Sequence, residues 1–299
     1  MNSPELAQIR NKNSTTGRSY ALAAPLWLKT GLRTLNALAP HTAAGVLQRL
    51  FTTPPKLAPR ADEAATLSQA KRWRTRVRGM QMAGYEWGDS GPAVLLIHGW
   101  GGHAGHMTGM VAPLLKAGLR AIAVDVPGHG NSTYGRSSIL HFHEAIEDMA
   151  AHAGQGQIKG IISHSFGAVA TTYALSRGLD IPRAVYVGPL AQFEQLWRSV
   201  QLSTGVSRPQ VERMISRLEA HYCVDFAELE PVTLARDLTT PLLVLHDEGD
   251  DKVAVSQGEL LVASWPGATL RTTTRLGHLK ILKDEATVTA AVEFLTRQG

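Results

Sequence analysis

One cysteine, Cys223, is all the thiol chemistry this 299-residue chain contains, and that excludes an internal disulfide framework and a thiolate metal cluster. Its place in Ala220-His221-Tyr222-Cys223-Val224 predicts a small buried hydrophobe, not a nucleophile. Long apolar runs are also missing: no stretch reaches the length needed to span a bilayer. Strong charge of either sign is absent too. The 30 Lys and Arg against 25 Asp and Glu give a net charge of +5, too mild to point to nucleic acid and accounted for by solubility. The glycine-rich loop Gly99-Trp100-Gly101-Gly102 lacks the G-x-G-x-x-G spacing and is followed by no P-loop lysine, so nucleotide binding is not expected. No His-Glu-x-x-His occurs either. His103 and His106 offer two ligands at most, so neither metal nor cofactor is expected.

What is present is a chain that is 44% hydrophobic and long enough to bury a substantial core. Residues 1–19 are polar and are expected to be disordered. Arg10, Lys12 and Arg18 precede a short apolar run, Tyr20 to Leu28, in loose imitation of a secretion signal. Lys29 and Arg33 interrupt the next turns of chain, which favours a peripheral amphipathic helix and a cytoplasmic protein over export. Residues 20–70 form an N-terminal helical extension in this reading. It has two helices broken at Pro40 and ending before Pro54-Pro55, and a short third near Ala64 to Ala70.

From residue 71 onward the pattern changes. Arg72, Arg74, Arg76 and Arg78 alternate with Trp73, Thr75 and Val77, the period of an exposed edge strand, and Gln81 to Trp87 returns through Gly79. Strand then helix recurs from Ala93 to Val187. Two further strands, Leu242 to His246 and Thr269 to Thr273, come next with their helices. This alternation predicts an α/β fold, a mostly parallel sheet covered on both faces. Residues 190–238 break the alternation with helices and read as a small lid over the carboxyl ends of the strands, where ligands enter such sheets.

The chemistry centres on Ser163-His164-Ser165-Phe166-Gly167, where an apolar strand runs into a helix. A nucleophile on such a turn needs small residues two before and two after it; Gly167 meets this and Ser163 nearly does. A serine hydroxyl needs an imidazole to take its proton and a carboxylate to orient that imidazole. His278, after the last strand, is the expected base. Asp250 is the first choice of acid, with Asp247 and Asp251 in the same loop as alternatives. The backbone N–H groups of Trp100 and Phe166 are placed to stabilise an oxyanion. His98, Gly99, Ser163, His164 and Gly167 shape the supporting turns, and the loop Asp125 to Ser132 braces the site. Trp100, Met107, Met110, Phe193, Leu196 and Trp197 are candidate pocket residues.

The ordered set His98-Gly99-Trp100, Asp125-x-Pro127-Gly128-His129-Gly130-x-Ser132, Ser163-His164-Ser165-Phe166-Gly167, Asp250-x-x-Val253 and Gly277-His278 resembles the α/β-hydrolase superfamily over residues 73–299. With Thr52-Thr53-Pro54-Pro55 upstream, it looks like a bacterial branch of poorly characterised serine hydrolases that carry an N-terminal helical extension. The resemblance implies an eight-stranded α/β-hydrolase fold, Ser165 as nucleophile, Asp250 as acid, His278 as base, and hydrolysis of a small, partly apolar ester. Thioesters, lactones and amides would use the same atoms. Ser163 and Asp247 stand where the pattern has glycine, which implies a slower enzyme. No aspartate occupies position 165, against dehalogenase or epoxide hydrolase chemistry. A non-catalytic ligand-binding module is the alternative of another class.

Overall fold

The computed structural model describes residues 24–154 and 156–297; the expectations placed on residues 1–23 lie outside the described residues. The chain opens with α1 (Leu26–Leu38), α2 (Pro40–Thr52) and α3 (Ala61–Ser68). Pro40 divides the first two because its ring suits a helix start and breaks a helix interior. Helix α3 starts three residues earlier than its apolar pattern suggests, because the Arg60 N–H donates to the Glu63 carboxylate at 2.9 Å and so caps the helix.

An eight-stranded sheet comes next. Its first part runs β1 (Lys71–Val77), β2 (Met80–Trp87), β3 (Ala93–Ile97), α4 (Val111–Lys116), β4 (Arg120–Asp125), α5 (Ile139–Ala153), β5 (Ile158–His164), α6 (Phe166–Ser176) and β6 (Ala184–Val187). The insertion between β6 and β7 holds α7 (Phe193–Thr204), α8 (Arg208–Tyr222) and α9 (Pro231–Leu234). The chain then continues through β7 (Leu242–Asp247), α10 (Val255–Ser264), β8 (Thr269–Thr273), α11 (Gly277–Lys280) and α12 (Glu285–Thr296).

Strand order is β1-β2-β4-β3-β5-β6-β7-β8, and β2 alone runs against its neighbours. Arg78 and Gly79 both take positive φ, which turns β1 tightly into β2. The arginines of β1 face solvent on this edge, as the alternation requires. All five residues of β3 are buried, the pattern of a strand covered on both faces. Leu95 and Ile97 pack with α5 and α6 residues such as Phe142 and Val169, while Val94 and Leu96 pack with Leu114 and Phe294 on the other side.

The expected helix over Met107–Lys116 is a 3-10 turn, Ala104–Met110, leading into α4. Gly105 and Gly109 weaken regular α-helix there. In the N-terminal extension, α2 packs against α8, α1 against α7, and α3 against the Ala104–Met110 turn. No helix among the described residues is long and apolar enough to cross a membrane.

Candidate active site

The turn from β5 into α6 places Ser165 at φ 53° and ψ −119°, a strained conformation for a residue with a Cβ. Its N–H donates to the Val187 carbonyl at 2.9 Å, and its own carbonyl accepts from the Ala168 N–H at 3.0 Å. Neighbouring glycines make the turn possible. A Cβ on Gly167 would lie 2.6 Å from the His98 carbonyl oxygen, and one on Gly99 would lie 2.9 Å from Ser165 Cβ. Ser163 is accommodated where glycine was expected, because its hydroxyl bonds Thr171 Oγ1 at 2.7 Å and Thr171 in turn donates to the Gly167 carbonyl.

The loop after β7 carries three acids with three different surroundings. Asp250 Oδ2 lies 2.7 Å from His278 Nδ1, and Oδ1 accepts the N–H groups of Lys252 and Val253 at 2.8 and 2.9 Å. Asp247 instead ties the two loops together, accepting from the Gly249 N–H, the Thr273 hydroxyl and the Leu276 N–H. Burial pushes the Asp247 carboxyl up, but the N–H groups of Gly277 and Leu276, with Thr273, outweigh it and hold the group below the usual carboxylate range. Asp251 is exposed and pairs with Lys252 at 3.6 Å.

His164, next to Ser165, bonds the His278 carbonyl through Nε2 at 2.9 Å, and the two rings lie 4.5 Å apart. Burial, then the nearby His278, pushes His164 well below the usual histidine range. It is therefore neutral, with its proton on Nε2 donated to that carbonyl. A Cβ at Gly188, one residue beyond Val187, would lie 3.3 Å from both Asp250 Oδ2 and His278 Nδ1. The Asp–His pair thus stands at the end of β6, the strand whose Val187 carbonyl accepts the Ser165 N–H. No hydrogen bond joins Ser165 Oγ to the His278 ring among the described residues. Such bonds are often long in unliganded sites and tighten around substrate.

Among the described residues, the N–H groups of Trp100 and Phe166 have no acceptor; that of Phe166 is one of the free donors at the start of α6. The loop that presents Trp100 is braced from below. Burial pushes His98 down to about 3. Its Nε2 accepts the Val126 N–H at 3.1 Å, so Nδ1 donates to the Gly99 carbonyl at 2.7 Å. Asp125 accepts from Ala104 N–H, Tyr85 hydroxyl and Asn131 N–H at 2.7 to 3.0 Å. A model described as the alpha/beta hydrolase family matches residues 94–291, the stretch that contains Ser165, Asp250, His278 and the Trp100 loop. The chain belongs to the alpha/beta hydrolase family.

Individual relatives of the chain match over shorter stretches. It is 28% identical over 137 residues to a pimeloyl-[acyl-carrier protein] methyl ester esterase of Neisseria meningitidis, covering 45% of this chain and 50% of that protein. It is 34% identical over 102 residues to a serine hydrolase-like protein of Danio rerio, covering 33% of this chain and 31% of that one. The chain therefore spans at most about half the length of these curated relatives. Among solved structures, the esterase RhEst1 of a Rhodococcus species superposes with a TM-score of 0.57 at 21% identity, covering 77% of this chain and all of that one. That likeness speaks for the fold.

Two of the residues expected around a pocket lie in the core. Met107 and Met110 are fully buried in the core layer with Val94, Leu96 and Leu114, because the 3-10 turn that carries them packs down onto the sheet. Trp100, Phe193 and Trp197 do belong to one aromatic group, in which Phe51 bridges Trp100 and Trp197 with ring centroids at 6.1 and 5.6 Å. Phe226 closes on Trp197 and Phe193 at 5.2 and 5.4 Å, and Leu196 is half-buried beside them. Phe51 and Phe226 carry no local signal of this role; each is an ordinary apolar position of a helical region. Cys223 is exposed, contrary to expectation, since it ends α8 in a left-handed conformation that points it away from the core.

Glu63 joins His103 and His106 in a group whose ligand-capable atoms lie within 4.8 Å of one another. Sequence spacing could not show it, because Glu63 arrives from the extension. Burial lowers both histidines, His106 to about 4. Both Glu63 oxygens are engaged, by the Arg60 N–H and by Lys283 Nζ at 3.0 Å, so a metal ion would have to displace an ammonium. The group is a polar tie between α3 and the Ala104–Met110 turn.

Proposed function

We propose that this chain is a carboxylic ester hydrolase that works through an acyl-serine intermediate. Ser165 attacks the ester carbonyl while His278 Nε2 takes its proton, and Asp250 holds the opposite ring nitrogen and stabilises the imidazolium that forms. The Trp100 and Phe166 N–H groups receive the oxyanion. The alcohol leaves with the proton from His278, and water repeats the sequence on the acyl-serine. The observation that carries this reading is the 2.7 Å Asp250–His278 contact beside the strained turn of Ser165. A pure binding module has no use for a carboxylate that fixes an imidazole next to a strained serine.

The matched relative named as a methyl ester esterase agrees with an oxygen ester as substrate, and the Trp100–Phe51–Trp197–Phe226 group suits a partly apolar acyl chain. In this reading residues 190–238 act as the lid, residues 20–70 as an extension that helps close it, and the protein works in the cytoplasm. A fluorophosphonate followed by peptide mass mapping tests the reading. Label on Ser165, lost in Ser165→Ala together with hydrolysis of p-nitrophenyl esters, supports it. An unlabelled, inert protein would support the binding module instead.

A further inference from the structure

Acidic side chains vanish from the chain between Glu5 and Asp62. The residues between them include eight Lys or Arg and no Asp or Glu, which leaves the remainder at −3 within an overall charge of +5. Within this segment α1 has two apolar faces. Leu32 is buried, Leu28 packs against the core beside it and Leu35 is half-buried, while Leu26, Trp27 and Leu38 face outward and are 78%, 73% and 80% exposed. Thr30 and Thr34 separate these three, and the cation Arg33 borders them. A helix meant only for water puts charge on its outer face.

The apolar surface continues onto the insertion. Leu202 of α7 is 53% exposed, next to Ser203, whose carbonyl accepts the Ala24 N–H at 2.9 Å. Six of the ten large apolar side chains exposed among the described residues lie between residues 24 and 60.

We propose that α1 docks the protein on a membrane surface rich in anionic phospholipid. Leu26, Trp27 and Leu38 enter the boundary between headgroups and acyl chains, and Lys29 and Arg33 of the same helix face lipid phosphates. Tryptophan is favoured at that boundary, and modest apolar insertion plus a basic patch is the two-part signal that reversible attachment requires. A polyanion such as nucleic acid would match the charge and leave the outward Leu and Trp unused. A second copy would cover the apolar face but bring an equally cationic segment against this one. The inference does not depend on the hydrolase reading.

The test is co-sedimentation of the full chain with vesicles of phosphatidylcholine, alone or mixed with phosphatidylglycerol. Binding to the anionic vesicles is expected to exceed binding to the neutral ones by about tenfold and to weaken several-fold in about 0.5 M salt. The variant Leu26→Ser/Trp27→Ser/Leu38→Ser and the separate variant Lys29→Glu/Lys56→Glu should each lose about tenfold in binding. Both should keep the parent melting temperature, since the altered side chains are not in the core. Trp27→Phe should remove the blue shift of emission that accompanies binding. Absence of binding at low salt, equal binding to neutral vesicles, or parent-like binding by the variants would overturn the proposal. So would salt-sensitive binding to duplex DNA, or a dimer that needs Trp27, if either occurs without vesicle binding.

Discussion

Asp250→Asn changes one atom that matters and spares the rest. The Oδ1 atom that accepts the Lys252 and Val253 N–H groups at 2.8 and 2.9 Å is available in asparagine as well. The Oδ2 atom, 2.7 Å from His278 Nδ1, becomes an NH₂ group, and two donors cannot face each other across that distance. His278 must then carry its proton on Nε2, the nitrogen needed to accept one from Ser165. In serine triads such a swapped tautomer costs about 10⁴-fold in kcat, about 5 kcal/mol of transition-state stabilisation. The effect on folding is small. Two charge-assisted backbone bonds become neutral ones at about 1 kcal/mol each, partly offset because a charge is no longer buried. Turnover of a p-nitrophenyl ester and thermal unfolding, measured side by side, should show a collapse of kcat with a shift in melting temperature of a few degrees at most. Asp251→Asn, at an exposed site, is the control and should stay within about twofold. Parent-like kcat in Asp250→Asn, or an equal collapse in Asp251→Asn, would refute the assignment of the acid.

Gly167→Ala pushes a methyl to within 2.6 Å of the His98 carbonyl, so overpacking of about 1–3 kcal/mol should outweigh the roughly 1 kcal/mol helix gain of alanine. Displacement of the Trp100 loop should lower ester turnover by about 10²-fold, read by urea unfolding and steady-state kinetics; a variant equal to the parent in both would show slack in this packing. Thr171→Val strips the buried Ser163 hydroxyl of its partner and should cost about 1–3 kcal/mol in chemical denaturation, much of it recovered on adding Ser163→Ala. No loss in the single variant would show that the pair is not the reason Ser163 fits. Asp247, held below its ordinary value of 3.8, stabilises the fold above that pH and ceases to as pH falls through its lower folded value. Asp247→Asn should therefore melt well below the parent at pH 7 and approach it below about pH 4; a constant gap across that range would contradict the role.

Local physics made much of the fold legible in the sequence. The runs Arg120–Asp125 and Ile158–His164 form strands with those bounds, because burial on a pleated surface is written in apolar period and in flanking turn residues, while the largely exposed Thr269–Thr273 forms one through its threonines. The small residues around Ser165 announced the strained turn for the same reason: steric room there is set within five consecutive positions.

Which carboxylate meets His278 is a different kind of fact. Asp247, Asp250 and Asp251 share one loop, and only the packing of that loop against the one after β8 decides that Asp250 faces the ring while Asp247 binds backbone. Packing also overrode chemical type. Met107 and Met110 are suited to line a pocket, yet a 3-10 turn directs them into the core, and Cys223 is suited to a core yet a left-handed helix end directs it outward. Phe51 reaches Trp100 and Trp197, and Glu63 reaches His103, across long stretches of chain. The amino-acid order alone determined periodicity, turn chemistry and the charge imbalance of the first sixty residues, since each acts over a few neighbours or as a simple sum. The pairing of side chains distant in sequence was left to the tertiary structure, because the free energy that selects one partner over another exists only once the layers have packed.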